Sequence, residues 1–267
     1  MSASATPPPP QTPTLLGYYP GSTANSSVVN DFGAFSPNTI KAGSFQFQTG
    51  VDLSYREWDT RFGVQRTSRQ WTLGDTWVTY GVTKDLEFQA GIPLWQLNRD
   101  GFRTDLLKDH QSDTTFGNNV TLRGRYNLWG NDGGRTSLGL LGTVVLPTGS
   151  CDSYEYGLAA AFSYRTTCNA DMRFSTGFML MENRDNGWNP AYDNRLSISH
   201  SIIGGLSGLV AFDARISTER RTEWSTSVEA GLFYNFTPVD QLFGGSSFHT
   251  SGRTPDFGPT VSYIHQF

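Results

Sequence analysis

The chain has 267 residues, of which 37% are hydrophobic and 13% aromatic, and its net charge of -4 gives no basic footprint for nucleic acid. The longest apolar runs are only a few residues, which excludes a membrane-spanning helix. Lysine is rare among the 20 basic residues, occurring only at Lys41, Lys84 and Lys108, so the polar positions carry Arg, Ser, Thr, Gly and Asn instead. That composition indicates a polar face turned toward a confined interior.

Residues 1–40 form the first predicted region. They include a proline run from Pro7 to Pro10 and show no charged segment followed by an apolar one, so no secretory signal is visible. We interpret residues 1–40 as a Pro-rich tether or plug and residues 41–267 as a transmembrane β-barrel.

Twelve strands are predicted over the second region from apolar and polar residues that alternate with a period of two. Their approximate bounds are 44–56, 69–82, 86–94, 118–128, 136–146, 158–165, 172–182, 195–203, 210–216, 224–236, 240–249 and 256–267.

The clearest pair is the hairpin 118–146. Val120, Leu122, Tyr126 and Leu128 share one face of its first arm, and charged or amide side chains occupy the other. Residues 129–135 are rich in Gly and Asn, which suits a tight reversal.

The connections alternate in length along the chain. Short turns at 83–85, 129–135, 166–170, 204–205 and 238–239 follow every second strand. Longer polar segments at 57–68, 95–114 and 183–194 are interpreted as loops. An even number of strands of about ten residues, with short turns at one end and long loops at the other, predicts an all-β, antiparallel, up-and-down outer-membrane barrel of twelve strands.

Two features favour a lipid-facing apolar surface, which places the barrel in the bacterial outer membrane with a periplasmic C-terminus. Aromatic residues gather near the turn end of the apolar face, as in an interfacial girdle. The chain also ends on Phe267, which resembles the signal by which the barrel-assembly machinery recognises its substrates. The girdle residues are Tyr80, Phe88, Tyr126, Tyr164, Phe174, Tyr234, Phe236 and Phe267.

Several strand-and-turn segments resemble a family of outer-membrane transporters associated with meta-pathway phenol degradation. They are 74–76, 80–87, 91–94, 145–149 and 258–263, and the resemblance covers about residues 70–267. It implies a small-molecule channel in the outer membrane.

Charged residues on the polar face are the candidate lumen and selectivity residues. The alternative is that they pair with one another and only fill a narrow interior. The set is Asp52, Arg56, Glu87, Arg123, Arg125, Arg165, Arg173, Arg195, Asp213, Arg215 and Glu229.

Aromatic residues near the long-loop end could form a vestibule that stacks ring-shaped solutes, although interface anchoring is the commoner role. They are Trp58, Trp71, Trp95, Phe102 and Trp188.

Catalytic and cofactor signatures do not emerge from the sequence. His200 shares the apolar face with Ile198 and Ile202, whereas Ser199 and Ser201 point the other way, so no His and Ser pair is expected on one face. The four histidines have no metal-ligand spacing. Cys151 and Cys168 flank a strand of about ten residues, which separates them by roughly 30 Å and excludes a disulfide.

We therefore predict a non-enzymatic channel for passive uptake of small solutes, either aromatic or anionic, which contacts membrane lipid and needs no cofactor. The first alternative is a plugged structural or adhesive barrel. The second is a soluble β-barrel binding protein, which would carry the same alternation with its faces reversed.

Overall fold

The computed structural model of the chain describes residues 34–59, 65–103, 108–117, 119–131, 134–148, 154–166, 170–182, 187–217, 223–249 and 256–267. Within these ranges the regular structure consists of thirteen strand segments in one antiparallel sheet. They are β1 (Phe45–Asp59), β2 (Gln65–Gly81), β3 (Leu86–Arg103), β4 (Lys108–Phe116), β5 (Val120–Trp129), β6 (Thr136–Leu146), β7 (Glu155–Arg165), β8 (Ala170–Glu182), β9 (Trp188–Ile203), β10 (Leu206–Ser217), β11 (Glu223–Asn235), β12 (Asp240–His249) and β13 (Asp256–Gln266).

The sheet closes on itself to form a barrel. Strand β1 pairs with both β2 and β13, and the chain of neighbours continues from β13 down to β5. Strand β3 pairs with β2 on one side and with both β4 and β5 on the other. Because β4 and β5 occupy successive parts of the same edge of β3, they count as one barrel strand. The predicted all-β, closed barrel of twelve antiparallel strands is confirmed.

The break between β4 and β5 has a local cause. Gly117 and Asn119 both have left-handed backbone conformations, with φ of 64° and 59°. The Asn119 backbone N–H donates to Thr148 Oγ1 at 2.9 Å, and the Thr148 hydroxyl donates to the Gly117 carbonyl. Glycine and asparagine are the residues that adopt this region at least cost, so the strand turns aside here and then resumes its pairing with β3.

The apolar face points outward, as the alternation predicts. Leu122, Leu140 and Phe212 are each about 40% exposed, whereas Arg125 and Asn127 on the opposite face of β5 are 2% exposed. A soluble barrel would show the reverse. The predicted girdle residues are all exposed, and they lie toward the end at which the turns after β2, β5, β7, β9 and β11 reverse the chain. We refer to this as the short-turn end.

Three segments interpreted as loops are mostly strand. The hairpin β1–β2 remains paired out to Asp59 and Gln65, β3 and β4 pair from Trp95 to Lys108, and β9 begins at Trp188. The interpretation was wrong because these arms carry polar residues on both faces. Beyond the apolar band neither face is forced to be apolar, so backbone pairing persists without an alternating pattern. We call the end of the barrel at which these three arms lie the long-hairpin end.

Among the described residues, no helix is long and apolar enough to cross a membrane.

Replacing Phe212 with arginine tests the outward assignment. Phe212 is 46% exposed, and its strand neighbours Leu196 and Val228 are also exposed. A charge placed on the lipid face near the bilayer midplane costs about 2–4 kcal/mol. We expect the variant to lose that much unfolding free energy in lipid vesicles, measured by denaturant titration. Phe212→Leu serves as the control and should lose much less; equal losses would contradict a lipid-facing position.

Candidate functional site

The inside of the barrel is polar at almost every strand near the short-turn end. Along each strand, apolar side chains that point outward alternate with hydroxyl, amide and charged side chains that point inward, because successive residues face opposite sides of the sheet. The buried polar residues of this lining include Gln46, Thr79, Glu87, Gln89, Arg125, Asn127, Ser137, Ser163, Ser175, Ser197, Ser227, Glu229 and Gln241. A smaller apolar group lies on the same face and consists of Leu209, Phe233, Phe243 and Ile264.

Residues 34–40, which we name the lumen segment, lie inside the barrel. Ala34, Thr39 and Ile40 are at most 5% exposed, although none of them belongs to a strand. Strand side chains bind the segment backbone: Asn127 Nδ2 donates to the Pro37 carbonyl at 2.9 Å. The Thr39 backbone N–H donates to Asn131 Oδ1 at 3.1 Å. The segment therefore occupies the short-turn half of the lumen.

A buried ion pair fixes the C-terminal end of the lumen segment, next to the short-turn end of the barrel. Arg125 Nη1 lies 2.9 Å from Glu87 Oε1, and the two side chains are 2% and 0% exposed. The same Nη1 donates to the Asn38 carbonyl at 2.9 Å, while the Ile40 backbone N–H donates to Glu87 Oε2 at 2.6 Å. Gln89 Nε2 also donates to Glu87 Oε1 at 2.8 Å. These bonds satisfy the charges and the segment backbone together.

Two adjoining cavities lie farther toward the long-hairpin end. One, of about 360 Å³, is lined by Phe35 of the lumen segment, by Trp77 and Arg123, and by residues of β5 to β9. The other, of about 480 Å³, is lined mainly by β1, β2 and β10 to β13. Arg195 and Arg215 line both, so the two spaces meet.

The charges around these cavities are unevenly placed. Asp52, Asp213 and Glu229 line only the larger cavity, whereas Arg123 lines only the smaller one. Arg195 Nε lies 2.9 Å from Asp193 Oδ2 and 3.9 Å from Asp213 Oδ2, which links the two groups. The described lining of both cavities contains six carboxylates against three guanidiniums. The six are Asp52, Asp75, Glu155, Asp193, Asp213 and Glu229.

The remaining candidate lumen residues have separate positions. Arg173 lies 2.9 Å from Asp171 on the same strand, nearer the short-turn end than the cavities. Arg165 is half-buried at the end of β7, two residues beyond buried Ser163. The backbone of Arg56 belongs to β1, but its side chain lies outside the described residues.

Phe35, Trp77 and Asp193 are lining residues that the sequence reasoning missed. Trp77 could have been found, because it alternates with the outward Thr76, Val78 and Tyr80 and pairs in register with Gly91. An added Cβ at Gly91 would lie 2.5 Å from the Trp77 ring, so the glycine leaves room for an inward indole. Phe35 belongs to a segment without any periodic pattern.

Most of the proposed aromatic vestibule does not face the lumen. Trp71, Trp95 and Trp188 are 41%, 49% and 47% exposed, and Trp188 packs against the outward Tyr156 at 5.5 Å. Gly74, with φ of 66°, adds one residue to β2, so its pairing with β1 shifts from Gly50–Asp75 to Val51–Leu73. As a result Trp71 points outward, although the odd-numbered Trp77 on the same strand points inward. This placement fits interface anchoring. The side chains of Trp58 and Phe102 lie outside the described residues.

Histidine and cysteine chemistry adds no site. His200 is exposed on the outer face between Ile198 and Ile202, while Ser199 and Ser201 are buried inside. In the part of the chain that the structure describes, no group of three His, Cys, Asp or Glu side chains is arranged to hold a metal ion. Cys151 and Cys168, with the predicted absence of a disulfide between them, lie outside the described residues.

Comparison with solved structures returns bacterial outer-membrane barrels. An outer membrane channel from Pseudomonas putida F1 is 14% identical, with a TM-score of 0.61 over 89% of this chain and 98% of that one. The translocator domain of autotransporter NalP from Neisseria meningitidis is 10% identical, with a TM-score of 0.53 over 85% and 90%. The transport unit of autotransporter AIDA-I from Escherichia coli is also 10% identical, with a TM-score of 0.51 over 96% and 100%. At these identities the likeness shows the fold alone.

A search of curated proteins found no match. A family model does match, and it covers residues 20–264, which is nearly the whole barrel and part of the region that precedes it. The matched range contains the lumen segment and all the described strand segments except the last two residues of β13. The chain is therefore a closed β-barrel that belongs to the family described as "Putative MetA-pathway of phenol degradation".

Proposed function

We propose that the protein is an outer-membrane channel through which small polar solutes pass by diffusion. The observation that carries this proposal is a pair of adjoining cavities, of about 360 and 480 Å³, enclosed by a closed barrel and lined by charged side chains. A barrel filled only for stability would pack this space with apolar or mutually paired side chains. The printed description of the P. putida structure as an outer membrane channel supports the same function.

The charge distribution indicates how the lumen acts on solutes. On the wall formed by β1 and β10 to β13, three carboxylates (Asp52, Asp213 and Glu229) outnumber Arg215. On the wall formed by β5 to β9, Arg123 and Arg195 are balanced by Glu155 and Asp193. This difference in charge between the two walls produces a transverse field that orients dipolar solutes. We assign selectivity to Asp52, Arg123, Arg195, Asp213, Arg215 and Glu229.

The Glu87 and Arg125 pair has a different proposed role, because both side chains are buried and bound to the lumen segment. We assign this pair, together with the lumen segment, to narrowing of the short-turn end. Arg173 and Arg165 are assigned to filling the same half of the interior. On this view residues 34–40 form the described part of the plug region predicted for 1–40, and the barrel follows within 41–267; residues 1–33 lie outside the described residues.

We also infer that the short-turn end faces the periplasm. Porin-type barrels have short turns on that side and long connections outside. The C-terminal Phe267 is 73% exposed at the short-turn end, where assembly machinery could bind it.

A plugged barrel without transport is the second candidate, and the buried lumen segment favours it. Single-channel recording in planar bilayers separates the two functions. A diffusion channel gives steady openings in the unmodified protein. A permanently plugged barrel gives none, and an absence of openings would contradict the proposed function.

Neutralising two carboxylates tests the selectivity assignment. Asp213→Asn combined with Glu229→Gln removes two carboxylates from the larger cavity and keeps the side-chain volumes nearly constant. Charges that line a pore set its ion preference, so we expect the reversal potential in a KCl gradient to shift toward anion permeation. Asp100→Asn, at an exposed position of β3 outside both cavity linings, is the control. An unchanged reversal potential in the double variant would show that neither carboxylate sets the ion preference.

A further inference from the structure

The side chain of Phe35 lies between two guanidinium groups. The Arg195 Cζ atom is 5.0 Å from the centre of the Phe35 ring, and the Arg123 Cζ atom is 5.8 Å from it. Arg123 also lies over the Trp77 ring at 4.4 Å. Cations within about 6 Å of an aromatic centroid are attracted to the electron-rich face of the ring. Two arginines on different strands thus present their charges to one aromatic ring.

The backbone that carries this ring is held by long hydrogen bonds. The Ala34 and Phe35 backbone N–H groups donate to Ser197 Oγ and Ser175 Oγ, each at 3.3 Å, which is long for a hydrogen bond. The C-terminal half of the segment, nearer the short-turn end, is held by bonds of 2.6–2.9 Å at Pro37, Asn38 and Ile40. Phe35 can therefore leave its position while residues 37–40 stay bound.

Space for a free ligand adjoins the same position. Phe35 lines the cavity of about 360 Å³ and is only half-buried. A single benzene ring with one small substituent is much smaller than this volume, so displacement of Phe35 would leave a pocket walled by two cations, of which Arg123 is backed by the Trp77 ring.

We propose that Arg123, Arg195 and Trp77 form a binding site for small monocyclic aromatic molecules, which Phe35 occupies as a tethered substitute in their absence. This inference rests on the proposed function, since a ring bound here is a solute within the channel. The recognition is by the aromatic face, so a saturated ring of the same size is rejected. A bound solute takes the place of Phe35 and leaves the rest of the lumen segment in position.

The test uses the full-length protein in detergent micelles and a pair of fluorinated probes. ¹⁹F NMR titration with 4-fluorophenol measures binding, and 4-fluorocyclohexanol is the saturated control. A tethered ring competes at a local concentration in the millimolar range or above, so Phe35→Ala should bind 4-fluorophenol at least about tenfold more tightly than the unmodified protein. The saturated probe should show no such gain.

Two further variants keep the result interpretable. Phe35→Leu retains an apolar side chain without an aromatic face and should also bind 4-fluorophenol more tightly than the unmodified protein. Adding Arg123→Met and Arg195→Met to Phe35→Ala should weaken binding of 4-fluorophenol by about tenfold relative to Phe35→Ala alone. The same triple variant is the control for partition of the probe into micelles. Heat-modified migration on gels verifies that each variant is folded.

Equal binding of both probes to Phe35→Ala, or no binding of either, would overturn the proposal. These results are independent of conductance. Steady openings without aromatic binding would remove the ring site and leave the channel function. Aromatic binding without openings would retain the ring site and contradict the channel.

Discussion

Replacing Arg125 with methionine is expected to lower the free energy of unfolding by about 3–5 kcal/mol, because it leaves a buried carboxylate without its cation. Glu87 is 0% exposed and receives bonds from Arg125, Ile40 and Gln89. Methionine has a similar length but carries no charge, so the Glu87 charge would keep only neutral donors. Denaturant unfolding in lipid vesicles, followed by tryptophan fluorescence, measures the loss.

Two comparisons isolate the ion pair. Combining Arg125→Met with Glu87→Gln should recover much of the loss, since glutamine retains an oxygen for the Ile40 N–H and removes the stranded charge. Lys84→Met removes the cation of an exposed pair, Lys84 and Asp85, whose side chains are 75% and 30% exposed, and it should cost about 1 kcal/mol or less. A loss for Arg125→Met no larger than that for Lys84→Met would contradict the role assigned to the buried pair.

Replacing Gly139 with valine is expected to displace the lumen segment and increase conductance. An added Cβ at Gly139 would lie 2.7 Å from the Pro37 carbonyl oxygen and 3.0 Å from Pro37 Cα, closer than real contacts allow. The two added methyl groups of valine enlarge the conflict. Overpacking of this kind costs about 1–3 kcal/mol, and movement of the segment relieves it. Larger single-channel steps in planar bilayers are the expected result.

The same strand provides a control for this substitution. Gly142 lies three residues along β6, and an added Cβ there would meet nothing within 4 Å. Gly142→Val should therefore fold normally and conduct as the unmodified protein does. If Gly139→Val and Gly142→Val conduct alike, the segment does not restrict the pore.

The sequence was sufficient for the barrel and for the direction in which its faces point. Where a strand crosses the apolar band, as from Val120 to Leu128, lipid on one side and water on the other force alternation. Turns such as 204–205 could be placed because only a few residue types suit them. The sequence was insufficient at the long-hairpin end, where water contacts both faces of 95–103 and removes the pattern, although backbone pairing continues.

The candidate site was predictable only in part. Alternation placed Arg123, Asp213 and Glu229 in the lumen, but pairing in space depends on strand register and depth, which a period of two does not encode. The position of the lumen segment could not be inferred, because its contacts are between its backbone and side chains such as Asn127, about 90 residues away. The steric requirement for glycine at position 139 becomes apparent only once Pro37 is known to lie beside it.

The seam between β1 and β13 links the lumen segment to completion of the cylinder. The segment leads directly into β1, and the seam ends in a bond of 2.8 Å from the Phe267 N–H to the Phe45 carbonyl. Glu87 and Arg125 bind this segment and are buried in the closed barrel, so the free-energy cost of dehydrating both charges is coupled to enclosure of the segment.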